Sequence, residues 1–243
     1  MDTEARLRSV KRIARLAAAI ACAWLAGQLQ PIRAAAPQET QTKVTIDHIA
    51  NEQATKGFAF PRVAPPAAGS LGGNIAANAS LTLVDGAADP NGAGMSALTD
   101  SVLPEEEDEP EANFFFNAGT PGGRFRMDFG SPVDIAEVRS YSWHPNTRGP
   151  QLYRLYGADG SEANFCPAPK ASVDPVSCGW HLIATVDTQP ANADVGGQYG
   201  VSITNNSGSL GKFRYLLFSC FATEMDDAFG NTFYSEINVM QKK

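Results

Sequence analysis

Residues 124–129, RFRMDF, set Phe125, Met127 and Phe129 in alternation with Arg124, Arg126 and Asp128. A period of two residues is the pattern of a β-strand with one dry and one wet face. Strand-like runs recur along the chain: VTIDHIA (44–50), LTLV (81–84), NFFF (113–116), HLIATVD (181–187), QYGVSIT (198–204), FRYLLFSCF (213–221) and FYSEINVM (233–240). Turn formers punctuate them, among them Asp85-Gly86, Asn91-Gly92, Gly122-Gly123, Gly196-Gly197 and Ser207-Gly208. No segment beyond the N-terminal region carries a long 3.6-residue period. With 22 glycines, 16 prolines and only 19% charged residues, the chain predicts a single all-β sandwich or barrel.

The series is organised around Asp134–Gly160. Ile135, Val138, Tyr141 and Trp143 mark one strand, and Leu152, Tyr153, Leu155 and Tyr156 mark the next, closed by a tight turn at Asp159-Gly160. Between them HPNTRGP (144–150) is a stiff polar loop held out by a sheet, a usual place for binding groups. Sugar recognition needs an aromatic face against C–H groups and planar hydrogen-bonding groups against hydroxyls. Trp143, His144, Asn146 and Arg148 offer both and are the candidate ligand-binding residues. They also admit a structural reading, with Trp143 in the core and His144 and Arg148 bracing the loop.

A formal charge of −7 without a basic stripe argues against nucleic acid as a partner. Glu105–Glu111, EEEDEPE, is read as a solvated acidic loop, since it lacks the alternation of a calcium-binding loop. Arg6, Arg8, Lys11, Arg12 and Arg15 precede an apolar run at 16–27 and Ala34-Ala35-Ala36, the order of a secretory signal peptide. Residues 1–36 are therefore expected to leave as a signal, 37–43 to form a short polar lead and 44–243 to form one domain. The mature chain is expected to be secreted or periplasmic with no membrane span. Export removes Cys22 and permits a disulfide between Cys166 and Cys178, while Cys220 reads as a buried thiol.

The order of several short motifs over residues 95–240 resembles the discoidin (coagulation factor 5/8 type C) domains. Met127-Asp128-Phe129-Gly130 followed by Ile135 and Val138 is similar to one step of that pattern. Tyr153–Gly160, Trp180 with Ile183, Phe213-Arg214-Tyr215-Leu216 and Ser235-Glu236-Ile237-Asn238-Val239 follow in the family's order. The resemblance implies a galactose-binding-like jelly-roll β-sandwich whose loops at one end bind sugars, lipids or proteins. It further implies a structural Ca²⁺ held by Asp100 and Glu236, with Asp100-Ser101 standing where the family commonly has Asp-Gly.

His48, His144 and His181 have no metal-ligand spacing, and no nucleophile elbow or phosphate-cradling loop is present. The sequence thus predicts a non-catalytic module for a glycan or cell-surface polysaccharide. A protein partner is a further expectation. The alternative is a structural or adhesive protein of the cell surface or periplasm that uses the same sandwich without a sugar site.

Overall fold

Strand β3 (Gly122–His144) decides the architecture, because its two halves have different neighbours. Gly122–Asp128 lies between β2 (Ser80–Asp85) and β7 (Gly211–Phe221), whereas Glu137–Ser142 lies between β8 (Tyr234–Gln241) and β6 (Gly197–Asn205). The ladder with β7 shifts register between Asp128 and Val133, where Gly130 has φ +79°. A bulge bends a strand, and glycine enters this conformation without a Cβ clash. The sequence reading had two strands here; the structure has one of 23 residues, bent.

The computed structural model describes residues 42–66, 73–189, 196–223 and 231–243. The expected signal and most of the polar lead lie outside them. With β1 (Thr42–Ala50), β4 (Leu152–Ala158) and β5 (His181–Asp187), the eight strands form one antiparallel network folded into two layers, β2-β3-β7-β4-β5 and β8-β3-β6-β1. This is the all-β sandwich expected from the sequence. Phe125, Leu155, Leu216 and Phe218 of the first layer meet Val138, Val201, Ile203 and Ile237 of the second. Each fully buried side chain of this size contributes about 1.5–3 kcal/mol. No helix among the described residues is long and apolar enough to cross a membrane.

Three local expectations are corrected. Phe114 and Phe116 of NFFF make only isolated bridges, because all three phenylalanines of the run are buried core rather than one face of a ladder. Asp159-Gly160 does turn, with φ +86° at Gly160, but the chain does not reverse directly into β5. Residues 159–180 instead cover the outer face of the first layer, where Phe165 and Trp180 pack with Tyr156 and Tyr215. Within this cover Cys166 and Cys178 are neighbours, the Cys166 N–H donating to the Cys178 carbonyl at 3.1 Å, yet both are free thiols rather than the expected disulfide. Other bonds hold the segment: Trp180 Nε1 donates to the Cys166 carbonyl at 2.9 Å, and Arg124 Nη1 donates to the carbonyls of Pro169, Lys170 and Val173. Cys220 is the buried thiol expected, pushed up to about 12 by burial.

The outer face of the second layer is covered by residues 51–66. Register sets Asp47, Gly200, Tyr141 and Glu236 in one row across β1, β6, β3 and β8. Phe60 stacks on Tyr141, and a Cβ on Gly200 would come within 2.8 Å of the Phe60 ring. The cover is pinned by Asp47, 3% exposed, whose carboxylate accepts from the Arg62 and Val63 N–H groups and from Arg62 Nε at 2.7–2.8 Å. Burial alone would raise its pKa, but these donors together hold it below the usual range. Replacing Asp47 by Ala leaves a buried N–H without an acceptor. Asp47→Ala should therefore lose about 2–4 kcal/mol in urea unfolding, whereas a change under 1 kcal/mol would show that the cover docks without the clip.

Candidate functional site

The chain leaves β3 at His144 and enters β4 at Leu152, so the HPNTRGP loop crosses from the second layer to the first. Gln151 fixes the crossing from inside. It is fully buried, accepts from Ser140 Oγ at 2.5 Å and donates to Ser142 Oγ at 3.0 Å. The loop is clamped to the β7–β8 connection at three points. Phe233 N–H donates to the Arg148 carbonyl (3.1 Å), Thr232 Oγ1 to that of Pro150 (2.6 Å) and Thr223 Oγ1 to that of Thr147 (2.7 Å).

The four sequence candidates do not form one cluster. Trp143 points to the outer face of the second layer, 5% exposed, edge-on to Phe58, with Nε1 donating to Asn51 Oδ1 at 3.0 Å. Its ring is core and offers no stacking face, a correction to the sugar-platform reading. His144, the next residue, faces the other way, as strand alternation demands, and is 1% exposed against Phe233. Its Nδ1 accepts from the Asn146 N–H at 3.2 Å, which puts the imidazole proton on Nε2. The nearest carboxylate to Nε2, Asp108 of the acidic loop, stands 3.7 Å away. Burial, with a smaller contribution from the nearby Arg148, pushes the imidazole down to about 3.

Asn146 and Arg148 are the pair left at the surface. Asn146 is exposed, and its Oδ1 accepts from the Arg148 N–H at 3.3 Å. The half-buried Arg148 guanidinium lies 4.8 Å over the Phe233 ring, which stacks in turn on Phe115 at 4.2 Å. Phe233 is thus the hub of the loop end. Sequence reasoning took it only as the start of a strand, because nothing in local spacing ties residue 233 to residues 144–148.

The two metal candidates do meet, away from this loop. Ser101 N–H donates to Glu236 Oε2 at 3.0 Å, and Asn238 Nδ2 donates to Oε1 at 2.7 Å. Ser101 holds φ +64°, so the backbone takes the left-handed turn that a glycine would make easily, at a cost of about 1–2 kcal/mol. Glu236 is 2% exposed, and among the described residues no cationic side chain pairs with it. Burial and the nearby Asp100 carboxylate push it up to about 8, and burial likewise raises Asp100. Asn238 Oδ1, buried beside this carboxylate, has no hydrogen-bond partner. The acidic loop itself is exposed, as expected, with the N–H groups of Glu105 and Glu106 donating to Glu109 Oε2.

No family model matches the chain, and no curated protein does. Solved structures to which the chain is similar include the CBM32-1 and CBM32-2 domains of Clostridium perfringens ZmpB, 12% identical with TM-score 0.46 over 83% of this chain and 43% of that one. Chitosan-binding module 1 from a chitosanase/glucanase of Paenibacillus sp. IK-5 is 14% identical, TM-score 0.43, over 68% and 97%. The Clostridium perfringens module CpGH89CBM32-4, in complex with glcNAc-alpha-1,4-galactose, is 11% identical, TM-score 0.42, over 70% and 93%.

The buried imidazole sets a pH expectation. A folded pKa of about 3, below an unfolded value near 6.5, means that the His144 contribution is complete above about pH 6.5 and declines as pH falls toward 3. Nitrogen-15 NMR should find His144 neutral at pH 5 with the proton on Nε2. A titration midpoint near 6.5 would contradict the burial described here.

Proposed function

We propose that the chain is a non-catalytic module that binds a carbohydrate at the loop end of the sandwich. The observation that carries this is the exposed Asn146 amide beside Arg148, whose guanidinium is seated on Phe233, on a loop clamped at three points. Amide and guanidinium are planar groups suited to paired sugar hydroxyls, and pre-set side chains lose less entropy on binding. Because Trp143 is core, the site works by hydrogen bonding without an indole platform. A glycan or cell-surface polysaccharide is the partner this chemistry suits, met outside the cytoplasm if the N-terminal segment directs export. The burial of Trp143 also favours a second reading, a structural or adhesive part with no sugar site.

We further propose a structural Ca²⁺ held by Asp100 and Glu236. Two neighbouring carboxylates and the unpartnered Asn238 Oδ1 beside Glu236 suit a hard cation that takes oxygen ligands. When bound, the ion would supply the positive charge that the buried Glu236 lacks and tie the Asp100-Ser101 turn to β8.

A glycan array probed with the full chain should return one glycan class, with binding lost on Arg148→Ala and weakened on Asn146→Ala. A blank array with folded protein would leave the structural reading standing. Excess Ca²⁺ should raise Tm by roughly 5 °C or more over chelator, and Glu236→Gln should abolish that rise. Equal melting in Ca²⁺ and chelator would remove the ion from the account.

A further inference from the structure

The outer face of the first layer carries a concavity of its own. Register places Arg124 of β3, Ser219 of β7, Arg154 of β4 and Thr185 of β5 in one transverse row. Beside Arg124 and Ser219 lies a depression of about 330 Å³, bounded also by Asp85, Gly123, Ala171 and Phe221. That volume is at the lower end for small-molecule sites and suits one ring-sized unit.

Arg124 is 8% exposed and makes no ion pair among the described residues. Its Nε donates to Ser219 Oγ at 3.1 Å, and Nη1 donates to the three carbonyls of the 159–180 cover. Arg124 itself lines the depression, and these hydrogen bonds use Nε and Nη1 and leave Nη2 out. The guanidinium is therefore fixed in direction by the fold, with one nitrogen left for a ligand. Such a group favours a carboxylate. Phe221 is 37% exposed at the rim and adds an apolar surface, with the Arg154 guanidinium 5.6 Å over its ring. Asp85 completes the wall. Its oxygens accept from the Ala171 and Gly86 N–H groups and retain lone pairs for a hydroxyl. Lys170, donating to the Val84 carbonyl, adds a further positive charge beside Asp85. Locally cations exceed anions, in a chain whose formal charge is −7. One remaining guanidinium nitrogen within a lining that includes Pro121, Ala171 and Phe221 suits a carboxylate on a ring better than a phosphate, which calls for several converging donors.

We propose that this depression is a second binding site, for the carboxylate of an acidic sugar, with Arg124 facing the acid group, Asp85 a ring hydroxyl and Phe221, its ring held under Arg154, the ring's C–H groups. It shares no residue with the Asn146–Arg148 loop.

The test is calorimetric titration of the full chain with galacturonate, with galactose and acetate as the neutral-sugar and bare-carboxylate arms. Arg124 also braces the cover, so the informative variants are the exposed Phe221→Ala and Arg154→Ala, checked for unchanged melting. Saturable galacturonate binding, weakened roughly tenfold by each variant and absent for galactose and acetate, is expected. No saturable galacturonate binding to folded protein would overturn the proposal. So would acetate binding as well as galacturonate, or loss on Arg148→Ala with Phe221→Ala unaffected; that last result leaves the loop-end reading intact. A blank glycan array together with galacturonate binding sensitive to Phe221→Ala would do the reverse.

Discussion

The bend in β3 is the constraint on which the rest depends. One strand belongs to both layers, so the position of the bulge after Asp128 fixes which residues face inward in each half. Phe125 and Met127 before it and Val138 after it all reach the same core. Shifting the crossing by one residue would turn every side chain of the second half to the other face, burying Arg139 and exposing Val138. The bulge also determines that β3 ends where the loop must step across to β4, which is why 144–150 stands at an end of the sandwich. Gln151, inside that step, converts the crossing into a fixed geometry by using both ends of its amide.

Both outer faces are covered by long connections, and each cover is pinned by a buried charge rather than by apolar packing alone. Asp47 gathers two backbone N–H groups and Arg62 from the 51–66 segment. Arg124 gathers three carbonyls from the 159–180 segment. The two devices are mirror images in charge: an anion collects donors, a cation collects acceptors. Each turns polar backbone that a loop must otherwise leave to water into directed contacts, so the covers hold one position over the sheets.

What the sequence made legible follows the reach of its signals. Period-two alternation is local and strong, so β1, β2 and β4 to β8 lie within a few residues of the runs that announced them. Trp180 and Ile183, picked out by the order of motifs, are both buried. Asp100 and Glu236 meet although 136 residues separate them, which no spacing rule reaches and only the resemblance suggested. The failures are equally physical. NFFF is apolar on every side, so it carried no information about which face would pair. Trp143 and His144 are adjacent in sequence and were grouped for their chemistry, but a strand sends neighbours to opposite faces. Phe233, Phe221 and Arg124 gain their roles from cross-strand register, a long-range property that one sequence does not display.

The row Asp47–Gly200–Tyr141–Glu236 isolates the electrostatic logic of the molecule. Its two carboxylates sit on the same face of the same layer, 3% and 2% exposed, yet they are displaced in opposite directions. Burial pushes both upward. Asp47 has Arg62 and two N–H donors facing it, and their attraction outweighs desolvation, so it stays charged and anchors a loop. Glu236 has one N–H and one amide, with a second carboxylate nearby, and desolvation wins. The sheet and its covers shut both side chains off from solvent, and the groups that the overlying loop brings to each end decide what that carboxylate does. Over Asp47 the loop brings its own cation, which closes the interaction within the fold. Over Glu236 it brings another acid, so this carboxyl keeps its proton up to about pH 8.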